Sequence, residues 1–515
     1  MGAAVSAALL ATRPAAAQAT PTETDEWTPE AEQARAPHHL RSFVEMAAGL
    51  GLGLSGYWVF KNDNVTDWDN PQLAKRFNGS AWVLDNNGLG INFLGHPAWG
   101  SLTYSFARAN HQSVAGAFGY SFLTSFIWEF AIEFKEKVSI NDVTVTPGTA
   151  LPIGEFFYKL GLYLDTGHET STPVQALRWL LGTGVALDRT LDGRAPPHVT
   201  RRDELGFSRE IWHEFSAQYG VLAISSAGES SYARYAVGAS ARLVSLRGYG
   251  RVGSFARGFH GAEISDFSLT SEASRYGGGL LVEADTVLAG YHVQNIERVS
   301  HVTRGSSVTV GTGVGYEYLR SSANHYASVE QAISGLRPQF GSHTPIAREQ
   351  FAALDLPGVA ADFRRFGGWG SFDLSSRLEP SLGGLGAAAF YDWEAANPEA
   401  QSKHVLQKHG YFYGWGGSLR LRARLALGAW RAGFELKYAA YQSIDGRDRF
   451  QESVTNDQHV SGDLLRYAAT LGVAPGAGAV NVALQLGGRR FRSRAADFSR
   501  TASAVERGVS ATWTF

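Results

Sequence analysis

In the stretch LRLRARLAL, residues 419–427, Leu419, Leu421, Ala423, Leu425 and Leu427 alternate with Arg420, Arg422, Arg424 and Ala426. A strict period of two marks an extended strand, because successive side chains of a strand point to opposite faces. The segment therefore presents one apolar and one cationic surface. The pattern then repeats, with Trp430, Ala432, Phe434, Leu436 and Tyr438 set against Arg431, Gly433, Glu435, Lys437 and Ala439. Only Gly428 and Ala429 separate the two runs, which predicts a tight hairpin. Val480, Val482, Leu484 and Leu486 alternate in the same way with Asn481, Ala483, Gln485 and Gly487, and the chain ends with Val509, Ala511, Trp513 and Phe515 opposite Ser510, Thr512 and Thr514. One face apolar throughout and the other charged, small or polar is the pattern of a transmembrane antiparallel β-barrel, apolar toward lipid and polar toward its lumen.

About twelve such segments follow residue 209, near 211–223, 231–246, 263–274, 278–291, 305–319, 362–378, 382–393, 408–427, 429–443, 459–473, 478–492 and 503–515. Connections in the second half alternate between long (320–361, 394–407, 444–458, 493–502) and short (EPSL, GA, APGAG), as periplasmic turns and outer loops do. Connections near 247–262 and 292–304 are longer than this scheme asks, so ten and fourteen strands are the alternatives. A soluble sandwich competes as a fold, but Trp, Tyr and Leu recur at the strand ends as barrel girdles do. By parity Arg420, Arg422, Arg424, Arg431, Glu435, Lys437, Arg466 and Arg489 face the lumen, opposite Glu283, Asp285, Glu317 and Asp373. Such a wall can line an anion-selective pore, close a narrow barrel through ion pairs, or dock an acidic helical plug.

The N-terminal part has a different grammar. Residues 1–19 read as a leader without a basic start, 20–38 as a polar tether, 39–182 as a helical domain and 183–208 as a linker before the barrel at 209–515. Helices are expected at 40–60, at 96–110 with Pro97 in the first turn, and along the apolar run 114–134. In that run Ser121, Ser125, Glu129 and Glu133 recur every fourth residue on one stripe. Two uncompensated carboxylates would cost several kcal/mol in hydrocarbon, so the stripe is expected to face water, a cavity or cations in a periplasmic or lumen-plugging domain. Glu129, Glu133 and Glu136 are then natural mates for the lumenal arginines. A net charge of −2, from 46 basic and 48 acidic residues, gives no reason to expect nucleic acid, and the lack of cysteine excludes thiolate metal sites.

His96, Glu129, Glu133, Asp142 and Glu155 are of the right types for a hard metal, although no H-E-x-x-H or E-x-x-H spacing accompanies them. Ser101 or Ser125 with His96 would make a nucleophilic pair, yet no Gly-x-Ser-x-Gly elbow surrounds either. The structural alternative pairs Arg108 with a glutamate, lets His96 bond the backbone at the GHP turn, and starts a new helix at Glu155.

Two resemblances add to this. The ending GVSATWTF resembles the aromatic assembly signal of Gram-negative outer-membrane proteins, which implies outer-membrane lipid and the barrel-assembly machinery as partners. The order NFLGHPAWGSLTYSFARAN (92–110), SFIWEFAIE (125–133) and SINDVTVTPGTALPIGEFFY (139–158) is similar to the family domain of unknown function 3943, over roughly residues 60 to 165. Its pattern falls on Asn92, His96, Pro97, Gly100, Tyr104, Ala107, Arg108, Trp128, Glu129, Glu133, Asn141, Asp142, Gly154 and Glu155. That resemblance implies a place in the cell envelope and brings no activity. The expected function is a channel or gated pore for small polar or anionic solutes, without a cofactor. The alternatives are a lipid- or envelope-modifying hydrolase using the His96/Glu129/Glu133 region, and a structural envelope scaffold.

Overall fold

The computed structural model describes residues 27–59, 68–167, 172–195, 197–226, 231–275, 277–322, 348–399, 404–447, 459–474 and 480–515. The leader, the start of the tether and most of the connection expected at 320–361 lie outside the described residues.

Twelve antiparallel strands form a closed barrel: β1 (Trp212–Ser226), β2 (Tyr232–Val244), β3 (Ile264–Ser274), β4 (Gly277–Val299), β5 (Val302–Ser322), β6 (Arg348–Gly367), β7 (Gly370–Gly386), β8 (Tyr411–Leu427), β9 (Trp430–Ser443), β10 (Val460–Val473), β11 (Asn481–Ala495) and β12 (Phe498–Thr514). Each strand pairs with its neighbour in sequence, and the ring closes where β12 meets β1, Ala511 opposite Tyr219. A short strand, Gly253–Phe259, extends the row of β3 along β4.

The count of twelve agrees with the periodicity, but several boundaries move. The connection at 292–304 shrinks to the turn between Val299 and Val302, because β4 and β5 are long strands. The 493–502 connection likewise shrinks to a turn between Ala495 and Phe498. EPSL is not a turn: it lies inside β7, where Pro380 adjoins a register shift against β6. The real turn joins Gly367 to Gly370, whose φ of 141° and close approach to Ala426 O leave no room for a Cβ. Residues beyond β7, expected as a strand, form helix Ala388–Ala396 instead.

Charged side chains of one parity reach across the ring. Arg424 on β8 meets Glu214 on β1 at 2.6 Å, Arg242 on β2 meets Asp362 on β6 at 2.6 Å, and Arg489 on β11 meets Glu349 on β6 at 2.9 Å. Strands that are not neighbours can pair this way only through the inside of a closed sheet, so this parity lines the lumen. The opposite parity carries Val310, Val359, Leu378, Leu471 and Leu484, all exposed. That is the outward apolar face of a membrane barrel.

The N-terminal helices are α1 (Pro29–Gln33), α2 (His39–Val59), α3 (Leu73–Phe77), α4 (His96–Ala109), α5 (Val114–Ile127), α6 (Ile140–Asp165), α7 (Thr172–Leu181) and α8 (Thr183–Asp192). Residues 183–208, expected as a linker, therefore hold a helix. Glu155 does not begin a helix. Ser139 caps α6, its hydroxyl accepting from Asp142 N, and the helix runs on through Pro147 and Pro152 for 26 residues.

These helices do not plug the lumen. Helix α6 crosses the outer wall of the barrel, Phe156 stacking on Phe267 of β3 at 5.0 Å and Gly148 making room for Leu354 of β6. Leu89 and Phe93 pack with Tyr316 and Tyr318 of β5 and Tyr411 and Tyr413 of β8. All these strand residues share the parity of Val310 and Leu378. The expectation of a lumenal plug fails because the contacts of these helices are with outward-facing strand residues, mostly apolar but with Lys159 of α6 bonded to Ser265, and the arginine wall is already filled by its own acids.

Candidate functional site: two buried charge clusters

The first cluster fills the lumen. Arg420 meets Asp285 on β4, and also Glu283 at 3.8 Å and Glu317 at 3.5 Å. Arg422 bonds Glu435 at 2.7 Å and Glu283 at 3.1 Å, Arg466 bonds Glu283 at 3.0 Å and lies 3.0 Å from Glu317 as an ion pair, and Lys437 pairs with Glu317. Arg489 joins Glu272, Glu349 and Glu506 at 2.7–3.2 Å. Arg431 stays at the hairpin end, donating to Gly428 O and Trp430 O. The expected pairing of Arg422 with the Glu129 stripe is thus replaced by partners on the barrel itself. Above the ion pairs, Phe390, Trp393 and Leu406 pack with Phe351, Tyr441, Leu464 and Phe491. Below them, Leu246 and Tyr249 of the segment 245–252 pack with Val244, Ile264 and Val287. Within the lumen lies a cavity of about 90 Å³, ringed by Arg242, Arg364, Arg377, Arg420, Arg422 and Arg424 with their acids.

The second cluster lies in the helical domain and has two parts. In one, Arg108 of α4 holds Glu155 of α6 through two hydrogen bonds, Nε to Oε2 at 2.8 Å and Nη2 to Oε1 at 3.1 Å. Tyr104 donates to the same carboxylate at 2.8 Å, and Lys159 lies 3.8 Å away. Burial alone would raise the Glu155 carboxyl, but Arg108 and Lys159 outweigh it and hold it below its usual range. Lys159 also donates to Ser265 Oγ at 2.8 Å and to Ala262 O, tying the helices to the barrel wall. The helices meet this closely because of two glycines. A Cβ on Gly100 would lie 2.5 Å from Thr146 O, and one on Gly154 would lie 2.9 Å from Ser101 O.

The other part is acid-rich. A π-turn, Trp128–Ile132, ends α5 and turns Glu129 inward, where Oε2 accepts from Ser139 N at 2.8 Å. Glu133 accepts from Trp128 Nε1 at 2.7 Å, and His96 Nε2 is 3.8 Å from Asp142 Oδ1. Asp85 joins from the other side, accepting from Asn92 at 2.6 Å and from Tyr413 of β8 at 2.9 Å. The neighbouring Arg76 spends its guanidinium on backbone carbonyls of Glu129 and Glu136. Burial first, then the surrounding acids, push Glu129 well above the carboxylate range and Glu133 up to about 8, while burial lowers His96. Oε1 of Glu129 and Nε2 of His96 are buried without a protein hydrogen-bond partner.

The structure thus gathers His96, Glu129, Glu133 and Asp142, and separates Glu155 from them into its own ion pair. His96 does not bond the backbone through Nε2, and Ser101 donates to Pro97 O at 2.6 Å rather than to a base. Asp85 and Arg76 were missed by sequence reasoning, since DNNG reads as an ordinary surface turn and a single arginine carries no pattern. Among the described residues, the three-residue group with metal-like spacing is elsewhere, at His38, His111 and Asp192. There Arg41 and Arg194 hold the Asp192 carboxylate, which makes it part of an ion-pair network with Glu32 and Asp188.

Residues 81–183 match the family described as Domain of unknown function (DUF3943). The match begins later and ends later than the resemblance in the sequence, taking in Asp85 and helix α7 as well as the acid cluster. No curated protein matches the chain. Similar solved structures include the translocator domain of the autotransporter NalP from Neisseria meningitidis (10% identity, 59% of this chain and 88% of that one, TM-score 0.18). They also include the outer membrane protein Omp33 of Acinetobacter baumannii (11%, 59% and 98%, TM-score 0.18) and OmpF of Salmonella typhi (9%, 59% and 97%, TM-score 0.21). The assignment as an outer-membrane-type β-barrel rests on this chain's own strand pairing and face pattern, not on those likenesses.

Proposed function

We propose that the barrel is a closed outer-membrane anchor, and that the chain's specific work belongs to the helical domain held on its outer wall. The observation that carries this is the crossing of the lumen by ion pairs between opposite walls, with apolar side chains packed above and below them. At about 10–15 Å³ of cavity volume per water, a cavity of about 90 Å³ holds a small group of waters. In this reading outer-membrane lipid surrounds the strands, and the barrel-assembly machinery inserts the chain. The test is conductance of the refolded full-length chain in planar bilayers, with heat-modifiable gel migration as the check of folding. The anchor is expected to be silent, and steady conductance would sink it.

A second reading, gated passage of small anions, draws support from the six arginines around the cavity. It expects anion-selective conductance to appear once Phe390 and Trp393 are both changed to alanine, with the wild type silent. A hydrolase at His96 finds less support, because Ser101 is committed to the backbone of its own helix.

A further inference from the structure

The helical domain is built with inverted polarity. Several of its charged residues are buried, Arg108, Glu155, Lys159 and Glu129 among them, while its surface carries Leu52, Leu54, Val59, Phe122, Leu123 and Phe134. On α5 the buried face is Ala117, Ser121, Thr124 and Ser125, so small and polar residues point inward while Phe122 and Leu123 point outward. A domain surrounded by water gains by the opposite arrangement, since apolar surface costs free energy there and charge does not.

This polarity is also graded along one axis. Helix α2 begins among ion pairs, Arg41 with Asp188 and Asp192, and carries no charged residue from Met46 to Val59. At its far end Tyr57 and Trp58 cluster with Trp68 and Trp128, and Lys135 lies over the Trp68 ring at 4.0 Å. A charged end, an apolar middle and an aromatic end with a lysine reproduce the layering of side chains across a bilayer. The uncharged part of α2, Met46–Val59, is about 21 Å long, some two-thirds of a hydrocarbon core of roughly 30 Å. No described helix is long and apolar enough to cross a membrane by itself. A collar does not require that, because the other side of the bundle is covered by the barrel.

We infer that the outward face of α2 and α5 lies against the acyl chains of the bilayer that holds the barrel, as a collar continuous with the barrel's apolar band. The continuity is what selects lipid over a protein partner. The helices dock on strand residues of outward parity, so beyond their edge the same parity emerges bare at Val310, Val359 and Leu378. Any bilayer that wets those residues meets the collar beside them. The charges of Arg108, Glu155 and Lys159 then lie between two apolar layers, which accounts for their mutual pairing.

The inference rests on the barrel standing in a bilayer, and the test separates the two. The chain has no cysteine, so single nitroxide labels at Leu52→Cys, Phe122→Cys and the barrel control Leu378→Cys can be read in liposomes, each with folding checked by gel migration. Collisions with oxygen and with a water-soluble nickel chelate report lipid and water respectively. Expected is high oxygen and low nickel accessibility at all three sites. Nickel accessibility at residues 52 and 122 but not at 378 overturns the collar alone. Nickel accessibility at all three overturns the membrane reading with it. Low accessibility to both reagents at 52 and 122 means that a second copy or another protein covers the face, and also overturns the collar.

Discussion

In the lumen Arg420 meets Asp285, Glu283 and Glu317, whereas in the helical domain Glu129 and Glu133 face each other, Asp142 and Asp85, with Arg76 turned to backbone carbonyls. Both regions take carboxylates out of water. The lumen pairs most of its carboxylates with cations, Asp355, which accepts from Ser418, and Glu379 being exceptions, and such networks hold walls together even where their net contribution to stability is small. In the acid cluster burial and neighbouring acids instead raise Glu129 and Glu133, which favours their protonated forms, the other way open to a buried carboxylate. The contrast separates charge used for construction from charge left answerable to pH or to a cation. Arg108 and Glu155 belong with the lumen in this respect, although they lie in the helices.

The contrast can be strained first at that pair. Glu155→Leu leaves Arg108 buried against an apolar side chain, a loss of about 3–5 kcal/mol, and the helical domain is expected to unfold while the barrel keeps its heat-modifiable migration. Limited proteolysis of α4 to α8 reads the first and gel mobility the second. The double change Arg108→Leu, Glu155→Leu is expected to restore most of the protection. If the double variant is as damaged as the single one, the pair is not a self-contained unit.

A smaller effect is expected at Gly154, where a side chain meets Ser101 O and the Tyr104 ring. Gly154→Val should cost about 1–3 kcal/mol by overpacking and lower the midpoint of helical unfolding in urea, followed by tryptophan fluorescence. An unchanged midpoint would mean that α4 and α6 are not in close contact.

The smallest effect sharpens the acid side. Glu133 has a folded pKa of about 8 against 4.5 for the free group. Between those values the folded chain keeps a proton that the unfolded chain has lost. Its stabilising contribution is therefore complete below about pH 4.5 and declines as pH rises through 8. Glu133→Gln is expected to flatten the fall in protease resistance of the helical domain between pH 5 and 8. A slope equal to wild type would show that Glu133 ionises normally.

The barrel was legible because a period of two survives in nearly every strand and needs no partner to be read. Its irregularities were not. Pro380 within β7 looks like a turn until the register shift beside it is known, and helix Ala388–Ala396 has the same apolar content as a strand. In the helical domain the residue types of the site were visible but their grouping was not. Glu129 and Glu133 share a helical stripe in sequence, yet a π-turn redirects Glu129 toward Ser139, and Glu155 joins Arg108 because two glycines let α4 and α6 approach. The side of the wall that the helices occupy was least legible, since an acidic stripe and an arginine wall suit each other on paper. It follows instead from the parity of the strand residues that meet α6.

That placement is the central claim, and a disulfide can test it directly in this cysteine-free chain. Phe156 of α6 stacks on Phe267 of β3, while the adjacent Asp266 points into the lumen toward Arg242. With Phe156→Cys fixed, oxidation is expected to join it to Phe267→Cys in the folded barrel and to leave Phe156→Cys, Asp266→Cys unlinked. A crosslink to residue 266 and none to residue 267 would put the helices inside the barrel and contradict the account.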